Sequence, residues 1–162
     1  MGMSKANEKT NVCRLLGAKK VSFTEYTYPP EEALSGVEVA EYLHQDPARV
    51  FKTLVTVAKS GQHYVFVIPA AEELDLKKAA AAVGEKSIEM LKSKDLLGLT
   101  GYIHGGCSPI GMKKFFRTTL HESALGLPSV FVSAGKRGRQ VELTLDALSK
   151  MIPFETADLI RS

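Results

Sequence analysis

The sequence lacks the features of a secreted, membrane-spanning or disulfide-stabilised protein. Its 162 residues include only two cysteines, Cys13 and Cys107, too few for a disulfide framework. The polar start has no secretory signal pattern, and the longest apolar runs fall short of the roughly 18 residues that cross a bilayer. We expect one soluble cytoplasmic domain with reduced thiols and no membrane partner, spanning residues 5–162 behind a disordered or added segment at residues 1–4.

Strong charge and metal-binding patterns are also missing. The net charge of +3 permits a polyanionic partner such as RNA without requiring one. The four histidines are scattered, with no C-x-x-C, H-x-H or H-E-x-x-H spacing, and no segment matches a Walker loop. No metal and no cofactor are therefore expected.

Helical and strand patterns alternate along the chain, which favours an α/β or α+β domain. The segments "VFKTLVTVA" (50–58) and "HYVFVIPA" (63–70) predict a hairpin across a glycine-containing turn. Both are apolar on both faces in places, as a sheet covered on two sides requires. Further strands are predicted at 21–28, 87–91, 129–135 and 139–144. The expected fold is a mixed, mostly antiparallel sheet of six or seven strands with five helices around it.

Several helices have clear start or stop signals. A short helix over 7–16 is closed by Gly17, and Ser35 with Glu38 forms a capping-box pattern before the next helix. Further helices are predicted at 76–83 before Gly84, within 93–99, and after Thr144.

Lys52 is an unusual residue because it lies in the middle of a strongly apolar strand. Such a lysine either extends to the solvent at the sheet edge or is held in a cleft, where its charge requires an anion or an ester oxygen nearby. The glycine-rich loop 105–111 is expected to follow a strand, "GYIH", and its backbone N–H groups are suited to binding an oxygen that turns anionic. Cys107 in this loop is either a nucleophile with His104 as its base or an inert packing residue.

The segment "VSAGKRGRQVEL" has a similar character. Ser133, Gly135 and the cations of the turn lie between two predicted strands. The turn is either a phosphate-contacting element or a plain solvated hairpin.

Four segments together resemble the YbaK/EbsC family of aminoacyl-tRNA editing proteins, relatives of the editing domain of prolyl-tRNA synthetase. They are "VFKTLV", "LDLKKAAAAVG", "TGYIHGGCSPIGMKK" and "VFVSAGKRGRQVEL", and the similarity runs from Val21 to the end of the chain. The resemblance implies a mixed sheet partly curled into a barrel, surrounded by helices. It also implies metal-independent, trans-acting deacylation of mischarged Cys-tRNA(Pro) or Cys-tRNA(Cys), in which the substrate thiol releases the amino acid as a thiolactone.

The resemblance further implies roles for individual residues. Lys52 corresponds to the strand lysine most closely tied to activity, and Gly105 and Gly106 to the glycine pair expected to bind the ester carbonyl. Substrate-binding positions are Tyr28, Thr53, Ser133, Gly135 and Gln140. Expected tRNA contacts are Lys113, Lys114, Arg117, Lys136, Arg137 and Arg139. The implied partner is the acceptor end of the tRNA, with prolyl-tRNA synthetase as a second candidate partner.

Two departures from the family pattern keep alternatives open. Gln140 stands where well-known YbaK proteins have an aspartate, and Ser35 where they have an aromatic residue. Cysteine is therefore the first candidate substrate, with alanine or another small amino acid second. A catalytically silent tRNA- or synthetase-binding module and a Cys107–His104 thiol hydrolase are the alternatives of other classes.

Overall fold

The computed structural model describes residues 9–29 and 34–162, which form five α-helices and eight β-strands. None of these helices is long and apolar enough to cross a membrane. The helices are α1 (Asn11–Ala18), α2 (Gly36–Tyr42), α3 (Leu76–Val83), α4 (Ser93–Thr100) and α5 (Leu145–Met151).

The strands form two sheets. The smaller has the order β1-β7-β6 and the larger the order β4-β2-β3-β5-β8. The pairs β3–β5 and β5–β8 are parallel, and the other pairs are antiparallel. The strands are β1 (Thr24–Thr27), β2 (Phe51–Ala58), β3 (His63–Pro69), β4 (Ile88–Met90), β5 (Thr118–His121), β6 (Val130–Ser133), β7 (Arg139–Leu143) and β8 (Glu155–Ala157).

Side-chain caps set the starts of the helices. Thr10 accepts from the Cys13 N–H at 3.1 Å ahead of α1, and Thr144 accepts from the Ala147 N–H at 3.1 Å ahead of α5. Ser35 and Glu38 form both hydrogen bonds of the capping box at the start of α2. Each such cap stabilises its helix by about 1 kcal/mol. The predicted starts after Ser35 and Thr144 are confirmed.

Strand β3 is buried on both faces and separates two parts of the core. Val65 and Val67 face the apolar cluster between the two sheets, together with residues of α1 and α5. Phe66 and Ile68 face the cluster under α3. This alternation explains why the strand has an apolar sequence without a polar face.

The N-terminal half of β2 has an open edge, and this edge positions the site. Strand β3 covers one edge of β2 throughout, whereas β4 pairs with the other only over 56–58. An isolated parallel bridge between Val50 and Phe131 joins the two sheets at the far end of that edge. Residues 51–54 therefore lie along a gap between the sheets.

Several predictions of the fold need correction. The helix predicted at 7–16 begins at Asn11 and includes Gly17, while residues 7 and 8 lie outside the described residues. The glycine loop follows α4 rather than a strand. The described residues form eight strands in two sheets, and the sequence patterns did not predict β5 and β8. The mixed, mostly antiparallel class with five helices is confirmed, and closure into a barrel stays a prediction.

Candidate active site

A cleft of about 320 Å³ lies at the open edge of β2. One wall is the strand itself, and the opposite walls come from α2, the glycine loop and the ends of β6 and β7. Six of the predicted site residues line it: Tyr28, Lys52, Thr53, Gly105, Ser133 and Gln140. The fold thus brings together residues that are more than a hundred positions apart in the sequence.

Lys52 is partly buried in the wall of this cleft. Burial lowers the pKa of its ammonium group below the usual value, although the negative charges of Glu73 and Glu72 act in the opposite direction. No carboxylate among the described residues lies within ion-pair distance of Lys52. The ammonium is therefore available to an oxygen of a bound ligand.

The two glycines of the loop have different tasks. The Gly106 N–H donates to the Ile103 carbonyl at 3.0 Å within the loop, and its binding of the substrate carbonyl stays a prediction. A Cβ at Gly106 would lie 3.1–3.3 Å from backbone atoms of Lys136 and Arg137, so a larger residue there would press the two loops apart. Gly105 has φ +86°, lines the cleft, and has no backbone hydrogen-bond partner for its N–H among the described residues. Of the pair, Gly105 is the one whose N–H is available without breaking a hydrogen bond of the loop.

Among the described residues that line the cleft, Lys52 is the one lysine or arginine, and none is an aspartate or glutamate. Thr53 Oγ1 and Gln140 Oε1 are buried without a hydrogen-bond partner among the described residues. Buried polar atoms are rarely left unpaired unless a ligand or water satisfies them. Tyr28 is anchored through its N–H to the Gly138 carbonyl at 2.8 Å, and Ser133 Oγ accepts from the Gly135 N–H at 3.1 Å. Within 9–29 and 34–162 no three His, Cys, Asp or Glu residues cluster as metal ligands.

The sequence matches the aminoacyl-tRNA editing domain family over residues 30–151, about three quarters of the chain. It is also 48% identical over 160 residues, 98% of each chain, to the Enterococcus faecalis (strain ATCC 700802 / V583) protein named "Putative Cys-tRNA(Pro)/Cys-tRNA(Cys) deacylase EbsC". The chain belongs to the aminoacyl-tRNA editing domain family. The resemblance seen in the sequence is thereby confirmed.

Solved structures agree on the fold of this editing domain. A crystal structure of "a putative trans-editing enzyme for prolyl tRNA synthetase" superimposes with a TM-score of 0.82 at 24% identity, covering 99% of this chain and 100% of the other. The crystal structure of hypothetical protein APE2540 gives a TM-score of 0.84 at 20% identity, covering 95% of this chain and 100% of the other.

Cys107 of the editing domain is buried in the cleft wall and belongs to the core between the sheets. Burial raises the pKa of its thiol to about 12. His104 is exposed, and neither of its ring nitrogens hydrogen-bonds to the thiol in the described part of the chain. This arrangement supports packing rather than nucleophilic catalysis.

Replacing Cys107 by alanine should leave amino-acid release within about twofold of wild type, because the thiol does not act as a nucleophile. At pH 8 only about one thiol in ten thousand is ionised when the pKa is about 12. Iodoacetamide labelling of the folded protein, followed by mass spectrometry, should accordingly be slow at Cys107. Loss of release in the alanine variant with an unchanged Tm would instead support the thiol hydrolase alternative.

The basic residues of the editing domain divide into paired and exposed groups. Arg139 is buried and forms an ion pair with Glu25 at 2.7 Å, so its charge is already neutralised, and its contact with tRNA stays a prediction. Arg117 forms a pair of hydrogen bonds with Glu155, at 2.8 and 3.1 Å. Of the six predicted tRNA contacts, Lys113, Lys114, Lys136 and Arg137 are exposed and have no acidic partner among the described residues. These four remain the candidates for contacts with tRNA.

The sequence analysis missed part of the cleft wall. Gly36 and Val39 of α2, Ala70 after β3 and Leu96 of α4 also line the editing cleft. A Cβ at Gly36 would overlap Ala70 Cβ, at a separation below the 3.0 Å that real Cβ atoms essentially never show. The one sequence signal was the capping box, which fixes where α2 begins but not what it contacts. Gly135 was assigned to the substrate site, but it does not line the cleft and packs against Tyr102.

Proposed function

We propose that the protein is a trans-acting deacylase that removes cysteine from mischarged Cys-tRNA(Pro). The observation that carries the proposal is the Lys52 ammonium, which is partly buried in a small cleft and has no acidic partner among the described residues. The relative from Enterococcus faecalis, named for deacylation of Cys-tRNA(Pro) and Cys-tRNA(Cys), supports the same substrate class.

The need for such an activity follows from the limits of binding selectivity. Cysteine and proline are similar in size, and a pocket separates ligands that differ by one methylene by only about 1–3 kcal/mol. A synthetase built for proline therefore also loads cysteine, and a second site must remove it. A cleft of about 320 Å³ is suited to a single amino acid and the end of the ribose that carries it.

In the proposed reaction the substrate supplies its own nucleophile. The cysteine sulfur forms a bond to the ester carbonyl carbon, the bond from this carbon to the ribose oxygen breaks, and the thiol proton passes to the ribose hydroxyl. The products are a cyclic thiolactone and a tRNA with a free terminal hydroxyl, and water later opens the thiolactone to cysteine. The protein contributes positioning and electrostatic stabilisation.

Each polar group of the cleft then has a role. Lys52 binds an oxygen of the ester or of the terminal ribose, where its charge stabilises the negative charge that develops during attack. The Gly105 N–H is a second donor for the carbonyl oxygen. Gln140 and Thr53, whose buried oxygens have no partner among the described residues, accept hydrogen bonds from the α-ammonium group. Tyr28 and Ser133 line the pocket.

The partners follow from this chemistry. The acceptor end of a mischarged tRNA is the substrate, and the exposed lysines of the turns contact its phosphates, so binding should weaken as salt rises. We place the reaction in the cytoplasm, with prolyl-tRNA synthetase as a second partner that supplies tRNA selectivity.

The test is the release of amino acid from three aminoacyl forms of tRNA(Pro) that carry cysteine, S-methylcysteine or alanine. Cysteine should be released at least about a hundredfold faster than S-methylcysteine, because only the free thiol can attack its own ester. Equal release of the first two would contradict the role of the thiol. Release of alanine alone would identify a different edited amino acid, and a gel shift of tRNA without any release would identify a binding module.

A further inference from the structure

A second, smaller cavity of about 230 Å³ adjoins the editing cleft. Both cavities are lined by Tyr28, Leu34, Ser35, His104 and Gly105. The smaller one adds Glu38 and Arg137, which do not line the larger one. A ligand that fills the editing cleft and extends past His104 and Gly105 therefore enters a space with a different, charged lining.

Arg137 is held in place at this cavity by the glycine loop. Its Nε donates to the His104 carbonyl at 2.9 Å. A Cβ at Gly105 would lie 3.0 Å from Nε and 3.4 Å from Cγ of Arg137, so the side chain extends directly over this glycine. Neither terminal guanidinium nitrogen forms an ion pair or hydrogen bond with a described residue. The guanidinium is thus oriented by the loop and remains available to an anion.

We propose that the smaller cavity binds the terminal nucleoside of the aminoacylated strand, with Arg137 on its 5′-phosphate. This inference rests on the proposed function, because it takes the substrate to be an aminoacyl ester of a terminal ribose. The ester joins the amino acid to that ribose, so the nucleoside must lie immediately beyond the amino-acid pocket. The smaller cavity shares His104 and Gly105 with the editing cleft, so among the described residues it is the cavity next to the amino-acid pocket.

The remaining groups of the cavity fit a nucleoside 5′-phosphate better than a simple anion. Glu38 accepts from the Ser35 N–H through one carboxylate oxygen at 3.1 Å. Its carboxylate repels a bare anion but accepts hydrogen bonds from a ribose hydroxyl or a base amino group. His104 and Tyr28 provide aromatic rings for stacking of an unpaired base. The cavity therefore offers a cation for the phosphate, a carboxylate for the ribose hydroxyl or base amino group, and aromatic rings for the base.

The test uses cysteinyl esters of adenosine and of adenosine 5′-monophosphate, with wild type and the Arg137→Gln variant. Arg137→Gln should raise KM for the phosphate-bearing ester by about tenfold, which is the effect of losing one charge-assisted hydrogen bond. The kcat should not change, because the contact is the same in the ground state and the transition state. Arg137→Gln should not change KM for the ester of adenosine. Lys86→Gln is the matched control, because it removes one positive charge from an exposed residue that lines neither cavity and is not a candidate for tRNA contacts.

Equal losses with both esters, or equal losses in the Lys86 and Arg137 variants, would overturn the subsite. Titration with adenosine 5′-monophosphate, followed through the amide NMR signals of Gly105 and Glu38, tests the subsite without catalysis. The subsite is supported if the signals shift with the nucleotide in wild type, but not in Arg137→Gln and not with inorganic phosphate. This result supports the subsite even if wild type releases no amino acid and the proposed function fails. Unchanged spectra at millimolar nucleotide would overturn the subsite whatever the activity.

Discussion

Replacing Lys52 by methionine should slow the release of cysteine from Cys-tRNA(Pro) by about a hundredfold or more, the usual effect of removing one key electrostatic group from an active site. Methionine keeps the length and apolar stem of lysine and removes only the charge. The ammonium is the one side-chain cation on the β2 wall of the cleft. Single-turnover deacylation measures the chemical step directly, and Lys59→Met, which removes an exposed lysine just after β2, should leave the rate unchanged.

The same substitution should make the protein more stable. Burial disfavours the charged form of Lys52, so the methionine variant avoids a desolvation cost that the wild type bears. We expect Tm to rise by about 2–4 °C, which corresponds to roughly 1 kcal/mol in a chain of this size. An inactive variant with a lowered Tm would point to misfolding, whereas an active variant would remove Lys52 from the mechanism.

The pH dependence of this stabilisation has a definite sign. The pKa of Lys52 is lower in the folded protein than in the unfolded chain, so the folded state releases this proton first as pH rises. The desolvation cost is fully present below the folded pKa and is relieved as pH rises through it. The Tm advantage of Lys52→Met should therefore be full at about pH 7 and smaller at about pH 10. A constant difference across this range would contradict the lowered pKa.

The sequence was most informative where the signals are local. The β2–β3 hairpin, the capping box of Ser35 and Glu38, and the glycine that ends α3 all depend on residues close together in the chain. Strands β5 and β8 were missed because each is short and pairs in parallel with a strand distant in sequence. Such pairing leaves no turn signal and no regular spacing to detect.

The motifs in the sequence indicated which residues line the cleft, but not which residues these side chains pair with. Lys52, Tyr28, Ser133 and Gln140, which the motifs single out, all line one cleft. The ion pair of Arg139 was not foreseen, because its acidic partner, Glu25, is 114 positions away on the neighbouring strand. Charge in a sequence indicates which residues can contact phosphates, but only the fold shows which of them are already neutralised.

The contact between Gly36 and Ala70 determines the shape of one end of the cleft. Gly36→Ala places a methyl group where Ala70 Cβ already lies, so α2 must move away from the end of β3. Overpacking of this kind costs about 1–3 kcal/mol. Because both residues line the cleft, we expect cysteine release to fall by about tenfold or more as the positions of substrate and Lys52 shift.

A second substitution at the same contact separates the cleft shape from general instability. In the double variant Gly36→Ala/Ala70→Gly the methyl group moves from one side of the contact to the other, and the nearest remaining atom, Ala70 Cα, lies at an ordinary 3.5 Å. The double variant should recover most of the lost Tm and most of the lost rate, which a double-mutant cycle measures as coupling. If Tm recovers while release does not, the position of the methyl group inside the cleft, and not the displacement of α2, controls the reaction. Additive losses would mean that the two residues do not touch in solution.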